Sequence, residues 1–289
     1  MKETDKLLFK NSVFNRPDDA NKGTLGSLLC ICGAYGMAGA AIMAGKAALR
    51  CGIGLLKIAV PKSIYPICAS NMLESVYYPL KETDIGAVSA DNINFLLSAC
   101  EKSSAVLIGC GLSVCDDTKE LVKAVITNCT KPIVIDADAL NCICDEPQIL
   151  NHLKAPAIIT PHPGEMARLL NTTPKVVNSD RENTAINFAK KYGVVTVLKG
   201  AGTIIAAPNG TAYINHTGNS GMATGGSGDV LAGIIGSLLS QSANPLNAAA
   251  AGVFLHGTVG DLAAEKLGKI SMLPTDMIEL LPIAYQKLL

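Results

Sequence analysis

Residues 223–233 read Ala-Thr-Gly-Gly-Ser-Gly-Asp-Val-Leu-Ala-Gly, so that a glycine-rich turn leads into one carboxylate and an apolar run with helical spacing. Glycine lets a backbone approach a ligand closely, and the free N–H groups at a helix start attract anions. Asp229 at that start is a candidate general base beside bound phosphate. The segment therefore predicts transfer of a phosphoryl group to or from a hydroxyl. Its predicted anion hole consists of Gly225, Gly226, Ser227 and Gly228.

A structural interpretation of Asp229 competes with this one, because Asp is also a favoured helix N-cap. A glycine turn capped by aspartate needs no ligand. The choice between the two interpretations depends on which other groups the chain brings to the same place.

The composition bounds the domain organisation and the partners. The 289-residue chain is 49% hydrophobic and 17% charged, enough apolar material for a large buried core. We predict a single domain over residues 1–289, with residues 1–21 as an N-terminal lead-in. The net charge is zero, which argues against a nucleic-acid partner. The uncharged segment Gly23–Gly45 is interrupted by glycines and lacks the uniform hydrophobicity of a membrane span.

The cysteines indicate a reducing compartment. None of the ten forms a Cys-x-x-Cys pair, so the spacing does not predict a zinc site. No apolar signal segment precedes Lys22. We therefore expect buried free thiols and a cytoplasmic protein.

Short apolar runs alternate with helical patterns, which predicts an α/β fold with a mostly parallel sheet covered on both faces. Asn209-Gly210 marks a hairpin between the last two strands. After Asp229 the pattern is helical almost to the end. The predicted strands are Leu28–Cys32, Leu55–Val60, Ala105–Gly109, Pro132–Asp136, Ala157–Thr160, Val194–Leu198, Thr203–Ala207 and Ala212–Asn215. The predicted earlier helices are Ala38–Cys51, Asp91–Ser103, Thr118–Asn128 and Asp180–Tyr192.

Polar or glycine-rich residues follow four of these strands. In open α/β sheets, ligands bind beyond the carboxyl ends of the strands. Four such ends and the Asp229 turn would form one rim, and this convergence favours the functional interpretation. The four segments are Gly109–Leu112, Asp136–Asn141, Thr160–Glu165 and Lys199–Thr203.

Two residues of this rim carry charge suited to a nucleotide. Lys199, followed by glycines, can meet phosphate charge while backbone amides approach the ligand, although the same residues suit a β-turn. Glu165 opens a predicted helix through Leu170. Its carboxylate can hold Mg²⁺ through water or simply favour the helix dipole.

The remaining polar candidates have weaker signals. His162 lies between two prolines and either donates to a ligand oxygen or is structural. Asp136 and Asp138 are expected to accept hydrogen bonds from loop amides rather than to act as acid and base. Gly45-Lys46 does not complete a Walker-type phosphate loop, and Gly33–Gly39 does not match a dinucleotide-binding motif.

Together these motifs resemble the ribokinase-like superfamily and, within it, the ADP/ATP-dependent NAD(P)H-hydrate dehydratases. The resemblance runs from about Lys22 to near the C-terminus, and its most specific parts are Thr160–Glu165 and Asn219–Asp229. Where many relatives have Gly-Pro-Gly, this chain has Cys110 between two glycines. The other matching motifs are Lys22–Gly26, Ala38–Ala41, Gly109–Leu112, Asp136–Leu140 and Leu198–Gly200.

The resemblance implies a three-layer α/β/α sandwich around a mostly parallel sheet. It implies dehydration of hydrated NADH or NADPH back to NAD(P)H, with ADP or ATP hydrolysed and Mg²⁺ as cofactor. In the family scheme, Asp229 helps the ring hydroxyl attack the terminal phosphoryl group, and phosphate then leaves. It further implies a homotetramer, and a separate epimerase because residues 1–21 are too short to encode that domain.

Carried over by motif, the resemblance also implies residue roles. Glu165 would support Mg²⁺. The hydrated nicotinamide nucleotide would contact Ala40, Gly111, His162 and Asp229. The adenine nucleotide would be held by Lys199, Gly200, Ala201, Gly202, Thr203 and Gly228.

Two other function classes remain open at this level. A ribokinase-like kinase of a small alcohol or vitamin precursor would use the same Asp229 as base and keep its phosphoester. Such kinases commonly resemble Thr-Pro-Asn where this chain has His162. A non-enzymatic nucleotide sensor would bind tightly without turnover.

Overall fold

The computed structural model describes residues 1–241 and 243–289. One sheet contains every named strand in the described residues. The strands are β1 (Lys2–Glu3), β2 (Ser27–Ile31), β3 (Leu55–Pro61), β4 (Val76–Leu80), β5 (Ala105–Ile108), β6 (Ile133–Ile135), β7 (Ala157–Ile159), β8 (Val195–Leu198), β9 (Thr203–Ala206) and β10 (Ala212–Asn215).

The helices surround this sheet. They are α1 (Lys6–Ser12), α2 (Ala38–Arg50), α3 (Tyr65–Asn71), α4 (Ile93–Glu101), α5 (Asp116–Asn128), α6 (Asp138–Cys142), α7 (Pro163–Leu169), α8 (Pro174–Ser179), α9 (Arg181–Tyr192), α10 (Ser227–Ser240), α11 (Pro245–Leu267) and α12 (Pro274–Leu288). Short 3₁₀ turns cover Ala90–Asn92, Pro147–His152 and Ser220–Met222. None of the described helices is both long and apolar enough to cross a bilayer.

The sheet order is β1-β10-β9-β8-β7-β6-β5-β2-β3-β4. All neighbouring pairs are parallel except those that β9 makes with β8 and β10. The chain order reverses between β2 and β5, which are parallel neighbours although far apart in sequence. Such a reversal opens a crevice at the carboxyl ends of the two strands, where ligands of α/β proteins bind.

Alternate residues of β2 enter different cores. Leu28 and Cys30 pack with α2, α10, α11 and α12, whereas Leu29 and Ile31 pack with α4, α5, α7 and α9. Both faces of the sheet are therefore covered, as unalternating apolar strands require. The predicted three-layer α/β/α architecture is confirmed.

The eight predicted strands are present with ends shifted by at most one residue. Strand β4 was not predicted because Pro79 argues against a strand, and neither was the two-residue β1. Both lie at edges of the sheet, where proline and short pairing are tolerated. The cysteines are free in the structure, eight of them buried.

Candidate active site

The loops after β6, β7 and β8 meet around the buried carboxylate of Asp136. Asp136 Oδ1 accepts hydrogen bonds from Thr160 Oγ1 at 2.5 Å and from Lys199 Nζ at 3.0 Å. The main chain joins the same loops, because Lys199 N donates to the Pro161 carbonyl at 2.9 Å. Three strand ends distant in sequence thus form one polar cluster at the predicted rim.

Lys199 is the cation of this cluster. Its Nζ lies 3.0 Å from Asp136 Oδ1 and 3.7 Å from Glu165 Oε2. Burial acts to lower the pKa of Lys199, but Asp136 and Glu165 outweigh it and raise the pKa to about 12. The lysine also adjoins α10, because a Cβ added at Gly228 would lie 3.5 Å from its Nζ. A permanent positive charge therefore lies beside the predicted anion hole.

Asp229 occupies the first turn of α10, directly after the glycine turn. Gly226 caps this helix with a φ of +98°, a left-handed conformation that side chains disfavour. Burial and the nearby Asp136 carboxylate raise the pKa of Asp229 to about 6. A carboxylate with a pKa near neutrality at a helix start suits a general base.

Cys110 completes the surroundings of Asp229. Its Sγ lies 3.7 Å from Asp136 Oδ2, and ligand atoms of Cys110, Asp136 and Asp229 all lie within 4.8 Å of one another. Hydrogen bonding to Cys32 and burial raise the pKa of the Cys110 thiol well above its usual range, so it remains an S–H donor. This contact was not predicted, because in the sequence Cys110 stands out only as a departure from Gly-Pro-Gly.

The expectation for the Asp136 and Asp138 pair is half right. Asp138 Oδ2 accepts the Ser113 amide at 2.9 Å, as predicted. Asp136 instead binds side chains, because its carboxylate lies at the end of a central strand where amides are already paired. Between them, Ala137 has a φ of +49°, a strained backbone for a residue with a side chain.

His162 is the N-cap of α7. Its Nδ1 accepts the amides of Gly164 at 2.9 Å and Glu165 at 3.3 Å, so this nitrogen carries no proton. Burial lowers the pKa of His162, which keeps the ring neutral. The remaining nitrogen, Nε2, is then an N–H donor on a half-exposed ring. The structural and the ligand-donor roles that the sequence left as alternatives are therefore compatible.

Glu165 completes the same capping box. Its Oε2 accepts the His162 amide at 2.7 Å, and its Oε1 lies 3.5 Å from His162 Nε2. The side chain is 6% exposed. Because Oε2 is engaged in the cap, Oε1 is the oxygen that a hydrated Mg²⁺ would reach.

Ala40 and Gly111 are brought together at the β2–β5 crevice. Gly111 has a φ of +61°, and a Cβ added there would lie 2.7 Å from the Ala40 Cβ. Gly111 directly follows Cys110, which links this pair to the Asp229 cluster. Met43 lies one turn further along α2, and a Cβ added at Gly226 would collide with its side chain.

The loop Lys199–Thr203 forms the other side of the rim. Gly200 and Gly202 both have positive φ values, and Thr203 Oγ1 donates to the Gly200 carbonyl at 2.9 Å. Arg181, at the start of α9, donates to carbonyls of this loop. No motif surrounds Arg181, so its contact with this loop was not predicted from the sequence.

His256 of α11 supports the glycine turn from behind. Its Nε2 lies 2.9 Å from the Ser227 carbonyl, so Nε2 carries the proton and donates. Burial lowers the pKa of His256 to about 4, which keeps it neutral beside the positive helix start. No role was predicted for His256, because its partner Ser227 is 29 residues away in the sequence.

The strand order, the three layers and the glycine-Asp helix start define a ribokinase-like fold. The family model described as NAD(P)H-hydrate dehydratase matches residues 28–283. The chain therefore belongs to the NAD(P)H-hydrate dehydratase family, as its motifs suggested.

Individual relatives agree with this assignment. A bifunctional NAD(P)H-hydrate repair enzyme of Moorella thermoacetica is 42% identical over 279 residues, covering 96% of this chain and 53% of the relative. An ADP-dependent (S)-NAD(P)H-hydrate dehydratase of Neisseria meningitidis is 36% identical, covering 91% of this chain and 85% of the relative. The chain thus spans about half the length of the bifunctional relatives it matches.

A solved structure shows the same fold over the whole chain. The ADP/ATP-dependent NAD(P)H-hydrate dehydratase of Bacillus subtilis, co-crystallised with ATP and Mg²⁺, superposes with a TM-score of 0.84. It is 27% identical and covers 100% of this chain, which covers 99% of that structure.

Proposed function

We propose that this protein dehydrates hydrated NADH or NADPH to NAD(P)H while hydrolysing ADP to AMP or ATP to ADP. One observation carries the proposal: Asp229, with a pKa of about 6, lies at an anion-binding helix start beside the Lys199 ammonium. Family membership and the relatives named as NAD(P)H-hydrate dehydratases support the substrate class.

In this proposal, Asp229 accepts the proton of the ring hydroxyl. The hydroxyl oxygen then attacks the terminal phosphoryl group, whose bond to the leaving nucleotide breaks. Electron release from the ring nitrogen expels phosphate and leaves an iminium. The ring carbon next to it then loses a proton to phosphate or solvent, and this restores the double bond of the dihydronicotinamide ring. Hydrated cofactor and ADP thus give NAD(P)H, AMP and phosphate. The neutral Asp229 carboxyl returns its proton to solvent.

The other side chains bind and orient the two ligands. His162 Nε2–H donates to the hydrated nucleotide, which also contacts Ala40 and Gly111 in the β2–β5 crevice. The amides of Gly225, Gly226 and Gly228 receive the transferred phosphoryl group, since a helix start favours anions. The Ser227 amide, also predicted for this role, already donates to the Thr224 carbonyl at 3.3 Å. The segment Lys199–Thr203 and Gly228 hold the adenine nucleotide. When bound, Mg²⁺ would neutralise phosphate charge, with Glu165 holding it through water.

The test uses prepared NADH hydrate with ADP, ATP or neither, in the presence of Mg²⁺. We expect recovery of the reduced-nicotinamide absorbance only when a nucleotide is present. The effective nucleotide then identifies the phosphoryl donor. The proposal would be contradicted if the absorbance recovered without any nucleotide. It would also be contradicted if the absorbance failed to recover with both ADP and ATP tested. A stable phosphorylated product from a panel of small alcohols would establish the kinase function instead.

A further inference from the structure

Arg181 begins α9 and reaches across to the loop after β8. Its Nη1 donates to the Ala201 carbonyl at 2.5 Å, and its Nη2 donates to the carbonyls of Leu198 at 3.0 Å and Lys199 at 3.1 Å. All three acceptors are main-chain carbonyls at the end of β8 and in the loop that follows it. A single guanidinium therefore binds three carbonyls within four residues of backbone.

No carboxylate within the described ranges 1–241 and 243–289 lies within ion-pair distance of Arg181. An arginine retains its charge in a protein, so this cation is balanced only by carbonyl dipoles. An ordinary structural arginine on a loop would more simply pair with an acidic side chain. The arrangement instead orients peptide groups.

The peptide geometry determines where the matching N–H groups point. The described bonds are all trans, and a trans peptide directs its N–H opposite to its C=O. The Lys199 carbonyl on Arg181 therefore turns the Gly200 N–H away from the guanidinium, and the Ala201 carbonyl does the same for Gly202. Across the described chain, neither N–H donates to a protein acceptor.

Gly200 is what allows this approach. Its φ is +144°, and a Cβ added there would lie 2.8 Å from Arg181 Nη2. The loop is continuous with Lys199, whose ammonium adjoins the start of α10. Two unpaired amide donors thus lie close in sequence to the cation that faces the predicted anion hole.

We propose that Arg181 is a positioning residue for the adenine nucleotide. By binding the carbonyls of the Lys199–Thr203 loop on one side, it presents the Gly200 and Gly202 amides to acceptor atoms of the nucleotide on the other. The inference rests on the proposed function for the identity of the nucleotide. It concerns affinity for that nucleotide and not the chemical step, since the hydrogen bonds of Arg181 go to the loop carbonyls and none goes to Asp229.

The test compares Arg181→Met with Arg181→Lys and with Lys190→Met. Lys190 is an exposed cation in the last turn of the same helix, so its replacement removes equal charge without touching the loop. ADP affinity is measured by calorimetry without the hydrated cofactor, alongside kcat, both KM values and Tm. We expect Arg181→Met to weaken ADP binding by about tenfold or more, because charge-assisted bonds that order the loop are lost. Arg181→Lys should retain part of the affinity, and Lys190→Met all of it.

The expected signature is a higher nucleotide KM with kcat and the hydrate KM unchanged. Unchanged ADP affinity in a folded Arg181→Met protein would overturn the inference. A parallel fall in kcat, both KM values and Tm would also overturn it, by showing general loosening. If Arg181→Met does not fold, Arg181→Lys decides in the same way. Weakened ADP binding in a protein that never restores hydrated NADH would instead contradict the proposed function and leave the role of Arg181 standing.

Discussion

Lys199 is bound to Asp136, with 3.0 Å between Nζ and Oδ1, whereas Asp229 has no such partner. Over residues 1–241 and 243–289, no cationic nitrogen lies within 4.0 Å of the Asp229 carboxylate. The Asp136 carboxylate is therefore paired with a cation, whereas the Asp229 carboxylate is not. Burial of Asp229 and the nearby Asp136 carboxylate raise the pKa of Asp229 to about 6, which suits its proposed role as the base.

Replacing Asp229 by Asn should abolish catalysis while leaving ligand binding intact. Asn has nearly the same shape but cannot accept the hydroxyl proton. We expect kcat to fall by about a thousandfold or more, within the range of general-base contributions. Nucleotide affinity, measured by calorimetry, should hold. Unchanged turnover would remove Asp229 from the role of base.

The pH dependence of catalysis should follow the same group. Because the pKa of Asp229 is about 6, kcat/KM should fall as the pH drops below about 6. A kcat/KM that stays constant down to pH 4.5, well below the pKa of Asp229, would contradict the assignment. The measurement is kcat/KM across this range at saturating nucleotide.

The stability has the opposite pH dependence at this residue. Folding raises the Asp229 pKa from 3.8 to about 6, so the folded state binds the proton more tightly. The contribution of Asp229 to the stability of the fold is therefore present at low pH. It is lost as the pH rises between those two values. Asp229→Asn should raise Tm at pH 8, and this difference should vanish near pH 4. A lower Tm for the variant at pH 8 would contradict the expectation.

Replacing His162 separates its two roles. Asn is a good N-cap, so His162→Asn should keep the stability of α7, whereas His162→Ala should cost about 1 kcal/mol. Both variants lose the Nε2–H donor, and both should raise the KM for hydrated cofactor. The nucleotide KM should stay unchanged. A His162→Asn enzyme with a wild-type hydrate KM would show that the ring only caps the helix.

The ends of the strands that form the site could be predicted from the sequence, but the order of the strands in the sheet could not. The strand ends were found because each apolar run stops at a polar or glycine-rich residue, and that signal is local. Which strand neighbours which is not local, so the reversal between β2 and β5 emerged only from the structure. The parallel pairing of β5 with β6 places Cys110 beside Asp136, and the start of α10 adds Asp229, a contact that no spacing along the chain indicates.

The partners of Asp136 and Arg181 were hidden for a related reason. Asp136 was expected to bind amides, but the ends of β7 and β8 place Thr160 and Lys199 on it instead. Arg181 binds carbonyls of a loop 17 or more residues away, and main-chain carbonyls leave no trace in residue type. Residues that act on the backbone are those that sequence patterns reveal least.

Gly225 and Gly226 provide a matched pair for testing the anion hole. Gly226 has a φ of +98°, and a Cβ there would collide with Met43, whereas a Cβ at Gly225 would meet nothing within 4 Å. Gly226→Ala should therefore destabilise the fold by about 1–2 kcal/mol, and kcat should fall because the start of α10 shifts. Gly225→Ala should leave Tm unchanged, yet raise the nucleotide KM, because its methyl group enters the open space before the helix start. Thermal unfolding and steady-state kinetics of both variants check this. Equal losses of Tm would show that Gly225 is needed for folding rather than for leaving space for a ligand.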